Sequence, residues 1–147
     1  MKIKQNDFNS QEFNNFLDLM IIPDSTENEQ NIYSSDTISF HKYANNQKIH
    51  LNYITKPNLL LEQRSAEWFG PTILVTTAAL TQNPELISIT LSVLANYLTD
   101  YFKGRKEPKI KISFITQKSK TQFTKLDYEG DKEGLKEFEK LLKQFKN

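Results

Sequence analysis

The chain's apolar positions recur at strand or helix spacing in several stretches, and one stretch is apolar almost throughout. Residues 83 to 104, NPELISITLSVLANYLTDYFKG, are the most apolar and best punctuated. Asn83 is a natural N-cap, Pro84 suits a first helical position, and Glu85 complements the positive end of the dipole. Lys103 and Gly104 supply a basic last turn and a left-handed stop. The segment predicts a helix over 84–103. Ile87, Leu91, Leu94, Leu98 and Tyr101 form one stripe, and Leu86, Ile89, Val93 and Tyr97 form a second beside it. Two stripes need two covers. Leu91, Leu94, Leu98 and Tyr101 are therefore the candidate packing or subunit-contact residues. Ser88, Thr90, Ser92, Asn96, Thr99 and Asp100 interrupt the run and argue against a membrane span.

The C-terminal third reads as strand, turn, strand, helix. KIKISFIT places Ile110, Ile112 and Phe114 on one face, and a lysine-rich turn around Lys118 to Lys120 returns into QFTKLDY. Leu126 and Tyr128 are then expected to meet Ile112 and Ile110. DKEGLKEFEKLLKQF follows as an amphipathic helix capped by Asp131. Its stripe is Leu135, Phe138, Leu141, Leu142 and Phe145, with Glu139 and Lys143 as an i,i+4 pair.

The N-terminal half divides into a helical segment (1–22), a polar linker (23–36) and the start of a single domain over 37–147. Phe13, Phe16, Leu17 and Met20 recur at helical spacing after Ser10. PDSTENEQNIYSSD has few apolar anchors and reads as a mobile linker. TISFHKYANNQKIHLNYI alternates and predicts a hairpin turning at Asn45-Asn46, with Ile38, Phe40, Ile49, Leu51 and Tyr53 on one face. Leu59 to Leu61 is a candidate strand. Residues 72–80 carry both strand and helix signals, and Gly70-Pro71 inclines the reading to a helix opened by proline. Trp68-Phe69 reads as core aromatic. The fold class is α+β: two antiparallel hairpins, in one sheet or two, packed on the 84–103 and C-terminal helices.

Composition narrows the chemistry. The 147 residues contain no cysteine, which removes disulfides, zinc thiolates and thiol nucleophiles. No phosphate-loop, dinucleotide, metalloprotease, serine-hydrolase or EF-hand pattern occurs. The two histidines, His41 and His50, face one another in the expected hairpin, without an acid beside either. Two imidazoles make an incomplete metal site, so they read as a solvent-facing pair. Glu62, Arg64 and Glu67 read as surface ion pairs. No catalytic residue, metal or cofactor is expected. MKIKQNDFNS has two lysines but no apolar run after them and does not read as a secretory signal, so the expected location is the cytoplasm.

The net charge of +1 is unevenly spread: six Lys+Arg oppose eleven Asp+Glu before Tyr101, and thirteen oppose seven from there on. Lys109, Lys111, Lys118 and Lys120 are the candidate contacts for an acidic partner. The same cluster, with Lys103, Arg105, Lys106 and Lys125, supports a nucleic-acid alternative. Lysine in place of arginine and the acidic remainder of the chain weigh against it.

Over residues 70 to 145 the order is a GP turn, an apolar stretch, NPELISITLSVLANYLTDYFKG, KIKISFIT, a strand ending in LDYEG, and DKEGLKEFEKLLKQF. This layout resembles the small effector-associated constant components of bacterial conflict systems. The segment before it lies outside the resemblance, and the long helix is more polar than that family's. The resemblance implies a non-enzymatic adaptor beside an effector in antiviral defence, and it transfers no catalytic residues. The expected function is thus protein interaction or self-assembly, with a protein partner or a second copy and no membrane.

Overall fold

The long apolar segment forms a helix whose inner face packs into the core, over a sheet assembled from both ends of the chain. The computed structural model describes residues 2–9, 17–28, 30–49, 51–57, 59–61, 67–106, 108–117 and 122–144. For residues 6–9, 27 and 59–61 only the backbone is described. The strands are β1 (Lys2–Asn9), β2 (Leu19–Ile22), β3 (Ser25–Glu27), β4 (Gln30–Ser34), β5 (Leu51–Tyr53), β6 (Leu59–Leu61), β7 (Glu67–Val75), β8 (Lys109–Gln117) and β9 (Gln122–Gly130). The helices are α1 (Ser35–Asn46), α2 (Thr77–Gln82), α3 (Leu86–Tyr101) and α4 (Leu135–Lys143). A six-stranded mixed sheet runs β1-β9-β8-β7-β2-β5, and a smaller one runs β3-β4-β6. The fold is α+β.

The four helices among the described residues lie on one face of the large sheet. Phe40 and Ala44 of α1, Leu80 of α2, Ile87, Leu91, Leu94 and Leu98 of α3, and Leu135, Phe138 and Leu142 of α4 share one core. The sheet contributes Leu19, Ile21, Ile73, Val75, Ile110, Ile112, Phe114, Leu126 and Tyr128 to it. On the other face Leu74, Ile115 and Phe123 form a small separate cluster with Met20, Ile22 and Ile54. No helix residue enters that second cluster.

Several sequence expectations are corrected. Residues 35–46 form a helix, so the hairpin expected over 37–53 does not exist, and only Leu51–Tyr53 of it is a strand. Thr37, Phe40 and Ala44 are the buried positions, a helical spacing that the Ile38/Phe40 alternation masks. The deciding signal is Ser34, whose side chain accepts from the Thr37 N–H at 3.1 Å as an N-cap. Asn45-Asn46 ends the helix, and Lys48 makes the left-handed exit at φ 62°.

The expected 23–36 linker contains β3 and β4, paired through a turn in which Asn28 has φ 50°, and β4 then pairs in parallel with β6. The expected N-terminal helix is replaced by β1 and β2 in the described parts. Leu19 and Ile21 alternate with Met20 and Ile22 across two faces, a period-2 pattern. Residues 10–16, where that helix was centred, lie outside the described residues.

Residues 72–80 are both strand and helix: β7 continues to Val75, and Thr76 caps α2. Gly70-Pro71 does not open a helix. It sits in a bulge of β7, where the register with β8 shifts between Phe69 and Thr72, and there a residue without an N–H is tolerated in a central strand. Asn83 therefore closes α2, its N–H reaching the Ala79 carbonyl, and does not cap α3. α3 begins three residues later, behind Glu85, which makes no side-chain cap bond. Gly104 adopts the expected left-handed conformation, φ 78°.

In the β8–β9 hairpin Tyr128 faces Ile112 and Leu126 faces Phe114, two residues from the expected register. A shift of two leaves every side chain on its intended face. Asp131 accepts from the Gly134 N–H at 2.9 Å, capping the turn before α4, whose own cap position is Gly134. Glu139 and Lys143 form the expected pair at 3.5 Å. Among the described residues no helix is long and apolar enough to cross a membrane.

Candidate functional site

The face of the sheet that carries none of the described helices is built in rows by the strand registers. Lys2 of β1 lies beside Glu129 of β9, then Lys111 of β8, then Phe69 of β7. In the next row come Lys4, Asp127, Ser113, Thr72 and Ile22. These two rows, with Asp24, Gly70 and Lys125, line a cavity of about 540 Å³. Strand periodicity explains the segregation. Ile3, Ile112, Phe114, Leu126 and Tyr128 turn inward, so Lys2, Lys4, Lys111, Ser113, Lys125, Asp127 and Glu129 turn outward.

The charges on this face are mostly paired. Lys111 Nζ lies 2.8 Å from Glu67 and 5.3 Å from the Phe69 ring centroid. Lys109 meets Glu129 at 3.2 Å, and Lys125 meets Asp127 at 3.7 Å. The Ser113 hydroxyl donates to Asp127. The Glu67 hydrogen bond raises the Lys111 ammonium above its ordinary value, and the Lys109 hydrogen bond holds the Glu129 carboxyl below its own. At the rim, burial raises the Asp24 carboxyl, against the Ser34 N–H it accepts at 2.9 Å and the charge of Lys125. Lys2 and Lys4 take no part in the three ion pairs, which leaves the β1 side of the cavity with surplus positive charge.

Of the residues singled out from sequence, Leu91, Leu94 and Leu98 are buried inside the molecule and pack the core. Tyr101 is 48% exposed and stacks on Tyr97 and Phe102. The second stripe of α3 is divided: Tyr97 is buried, Leu86 and Val93 are half-buried, and Ile89 is 42% exposed. Lys109 and Lys111 reach the open face, whereas Lys118 and Lys120 lie outside the described residues, as do Glu62 and Arg64. Lys2, Lys4, Ser113, Asp127 and Glu129 were not singled out from sequence. The outward period-2 positions of KIK and KLDYEG are the signal for them.

His41 stands on α1, 4.2 Å from the Tyr53 ring by centroids, with Asn45 Nδ2 3.3 Å from its Nε2. His50 lies outside the described residues. No group of three or more metal-ligating side chains occurs among the described residues. Burial holds the His41 imidazole below 6.5, against a backbone hydrogen bond to Leu51. The folded state therefore binds its proton less tightly than the unfolded chain does. Stability is expected to fall as pH drops below 6.5 towards the folded value, because the unfolded chain takes up the proton first. Urea unfolding across that window should show the slope in the wild type and a flatter one in His41→Phe, which keeps the ring stacked on Tyr53. Equal slopes would assign the effect elsewhere.

No protein-family model matches the chain, and no curated protein and no solved structure matches it either.

Proposed function

We propose that this protein is a non-enzymatic protein-interaction module, working in the cytoplasm, whose partner docks an acidic segment on the helix-free face of the large sheet. One observation carries the reading: the helices cover a single face, and the other presents a cavity of about 540 Å³ with two lysines outside its ion pairs. A sheet face free of the described helices, with a charged concavity, offers area and complementarity together. The interaction surface is thereby moved from α3, whose leucines are consumed by the core, to the strands. The resemblance of residues 70–145 to effector-associated components supplies the setting, an adaptor beside an effector in bacterial defence.

The nucleic-acid alternative fits the face less well. Lys109, Lys111 and Lys125 each hold a carboxylate at 4 Å or less, and phosphate binding draws on uncompensated cations.

Two variants test the reading without disturbing an ion pair. Thr72→Arg fills the floor of the cavity, and Lys4→Glu reverses its free charge. Co-expressed with the products of the adjacent genes, the wild type should retain a partner that each variant binds at least about tenfold more weakly, about 1.4 kcal/mol. Melting temperatures should stay near the wild-type value. Unchanged partner retention in both variants sinks the proposal. So does tight, salt-sensitive binding of a single-stranded or duplex oligonucleotide that Lys4→Glu abolishes.

A further inference from the structure

The large sheet ends in two unlike edges. β5 has three residues, whereas β1 has eight in unbroken one-to-one register with β9. In an antiparallel ladder every second residue turns its N–H and C=O away from its neighbour, so β1 presents a row of such groups on its outer side. No described strand pairs with that side. The usual guards of a free edge are a proline, a bulge, short length or charged side chains, lysine above all. β1 has only the last: its sequence is KIKQNDFN, with Lys2 and Lys4 in its first half, and its register is regular.

We propose that the β1 edge pairs with the β1 edge of a second copy of this chain, antiparallel, about a two-fold axis normal to the sheet. That axis joins two six-stranded sheets into one and keeps both helical layers on the same side. The inference is independent of the open-face reading, and either can fail alone.

Symmetry and charge fix the register. A two-fold normal to the sheet pairs residues that share a face, so the two paired numbers must have the same parity. An eight-residue strand then cannot pair over its full length, and the axis falls at a residue, near Gln5 or Asn6. Lys2 and Lys4 decide between them. Both lie in the first half of β1 and line the cavity on the same face. Lysine is itself an edge guard, and a parallel arrangement would stack these charges on their copies. Centred on Gln5, the two Lys4 residues are two positions apart, about 7 Å along the strands. Centred on Asn6 they are four positions apart, about 14 Å, which exceeds the screening length of about 8 Å at physiological salt. Asn6 is the centre.

The absence of cysteine makes the test direct. Three single-cysteine chains are made at full length: Lys4→Cys, Gln5→Cys and Asn6→Cys. Only position 6 faces its own copy, at a Cα separation of about 4.5 to 5.5 Å that a disulfide accepts. Position 5 and its copy lie beyond the roughly 7 Å limit. Under mild oxidation Asn6→Cys should form a covalent dimer at least about tenfold faster than the other two, reflecting the effective concentration within a pair. The wild type should sediment with a mass that rises from monomer to dimer with concentration. A strict monomer up to the high-micromolar range, with equal slow oxidation at all three positions, overturns the pairing and leaves the edge to a strand from another protein. Fastest dimerisation of Gln5→Cys overturns the charge-set register.

Discussion

Trp68→Ala should destabilise the protein by about 3–5 kcal/mol, and Gly70→Ala by about 1–3 kcal/mol, with the two losses far from additive. Trp68 is 1% exposed and contacts the rings of Phe40 and Tyr97, so its removal opens a void between α1, α3 and β7. Gly70 is the other half of the same contact. A Cβ there would lie 2.3 Å from Cζ3 and 2.9 Å from Cη2 of the Trp68 ring, and 3.1 Å from the Lys111 carbonyl. The indole is buried and packed against Phe40 and Tyr97, so an alanine at 70 must displace it or the β8 backbone. Once Trp68 is truncated, the methyl group has room. Gly70→Ala should then cost little in a Trp68→Ala background, a coupling of about 1–3 kcal/mol in a denaturant double-mutant cycle. Additivity within about 0.5 kcal/mol would show that the ring and the glycine do not constrain one another.

This contact also marks how far the sequence could be read. Gly-Pro in the middle of an apolar run argues against a central strand, because proline withdraws a ladder donor. The bulge that excuses it is created by pairing with β8, some forty residues later, and leaves no local trace. The same division holds elsewhere. α4 and the β8–β9 hairpin are legible because their periodicities are long and their partners are neighbours in sequence. α1 was hidden because Ile38 and Phe40 suit a strand while Thr37, Phe40 and Ala44 suit a helix. Only the cap at Ser34, absorbed into a polar stretch, separates the two. β1 shows two apolar residues in eight and acquires its strand character from β9, more than a hundred residues away.

The candidate site follows the same logic. Lys109 and Lys111 stand out locally, and Asp127 and Glu129 join them across the neighbouring β8–β9 hairpin, whereas Lys2, Lys4 and Glu67 join them only through non-local registers. The apolar breadth of α3, which suggested a subunit surface, is instead largely used by α1, α4 and the sheet inside one molecule.

Removing both Ser34 and Asp36 side chains, as Ser34→Ala/Asp36→Ala, should cost about 3–7 kcal/mol, while Asp36→Asn alone should be close to neutral. The two residues do more than start α1. Ser34 caps the helix through Thr37 and donates to the Phe69 carbonyl at 2.7 Å, and Asp36 accepts the Phe69 N–H at 2.9 Å. The start of a helix thus satisfies both backbone groups of a β7 residue whose side chain lines the open-face cavity and lies under Lys111. A buried cap is worth about 1 kcal/mol, and each partly buried backbone group left unpaired costs about 1–3 kcal/mol.

The Asp36 carboxyl sits above its usual 3.8 because burial outweighs the Phe69 hydrogen bond. A raised folded-state value means that the folded protein holds the proton more tightly, so stability falls as pH rises from 3.8 through that value. At neutral pH the negative charge is therefore a cost, and the acceptor oxygen is the asset. Asparagine keeps an acceptor and discards the charge, which is why it should be tolerated where alanine is not. Urea unfolding at neutral pH separates the cases. If Asp36→Asn proved as damaging as Asp36→Ala, the carboxylate charge itself would be holding α1 against β7, and the placement of Phe69 beneath Lys111 would rest on an electrostatic tether in place of a hydrogen bond.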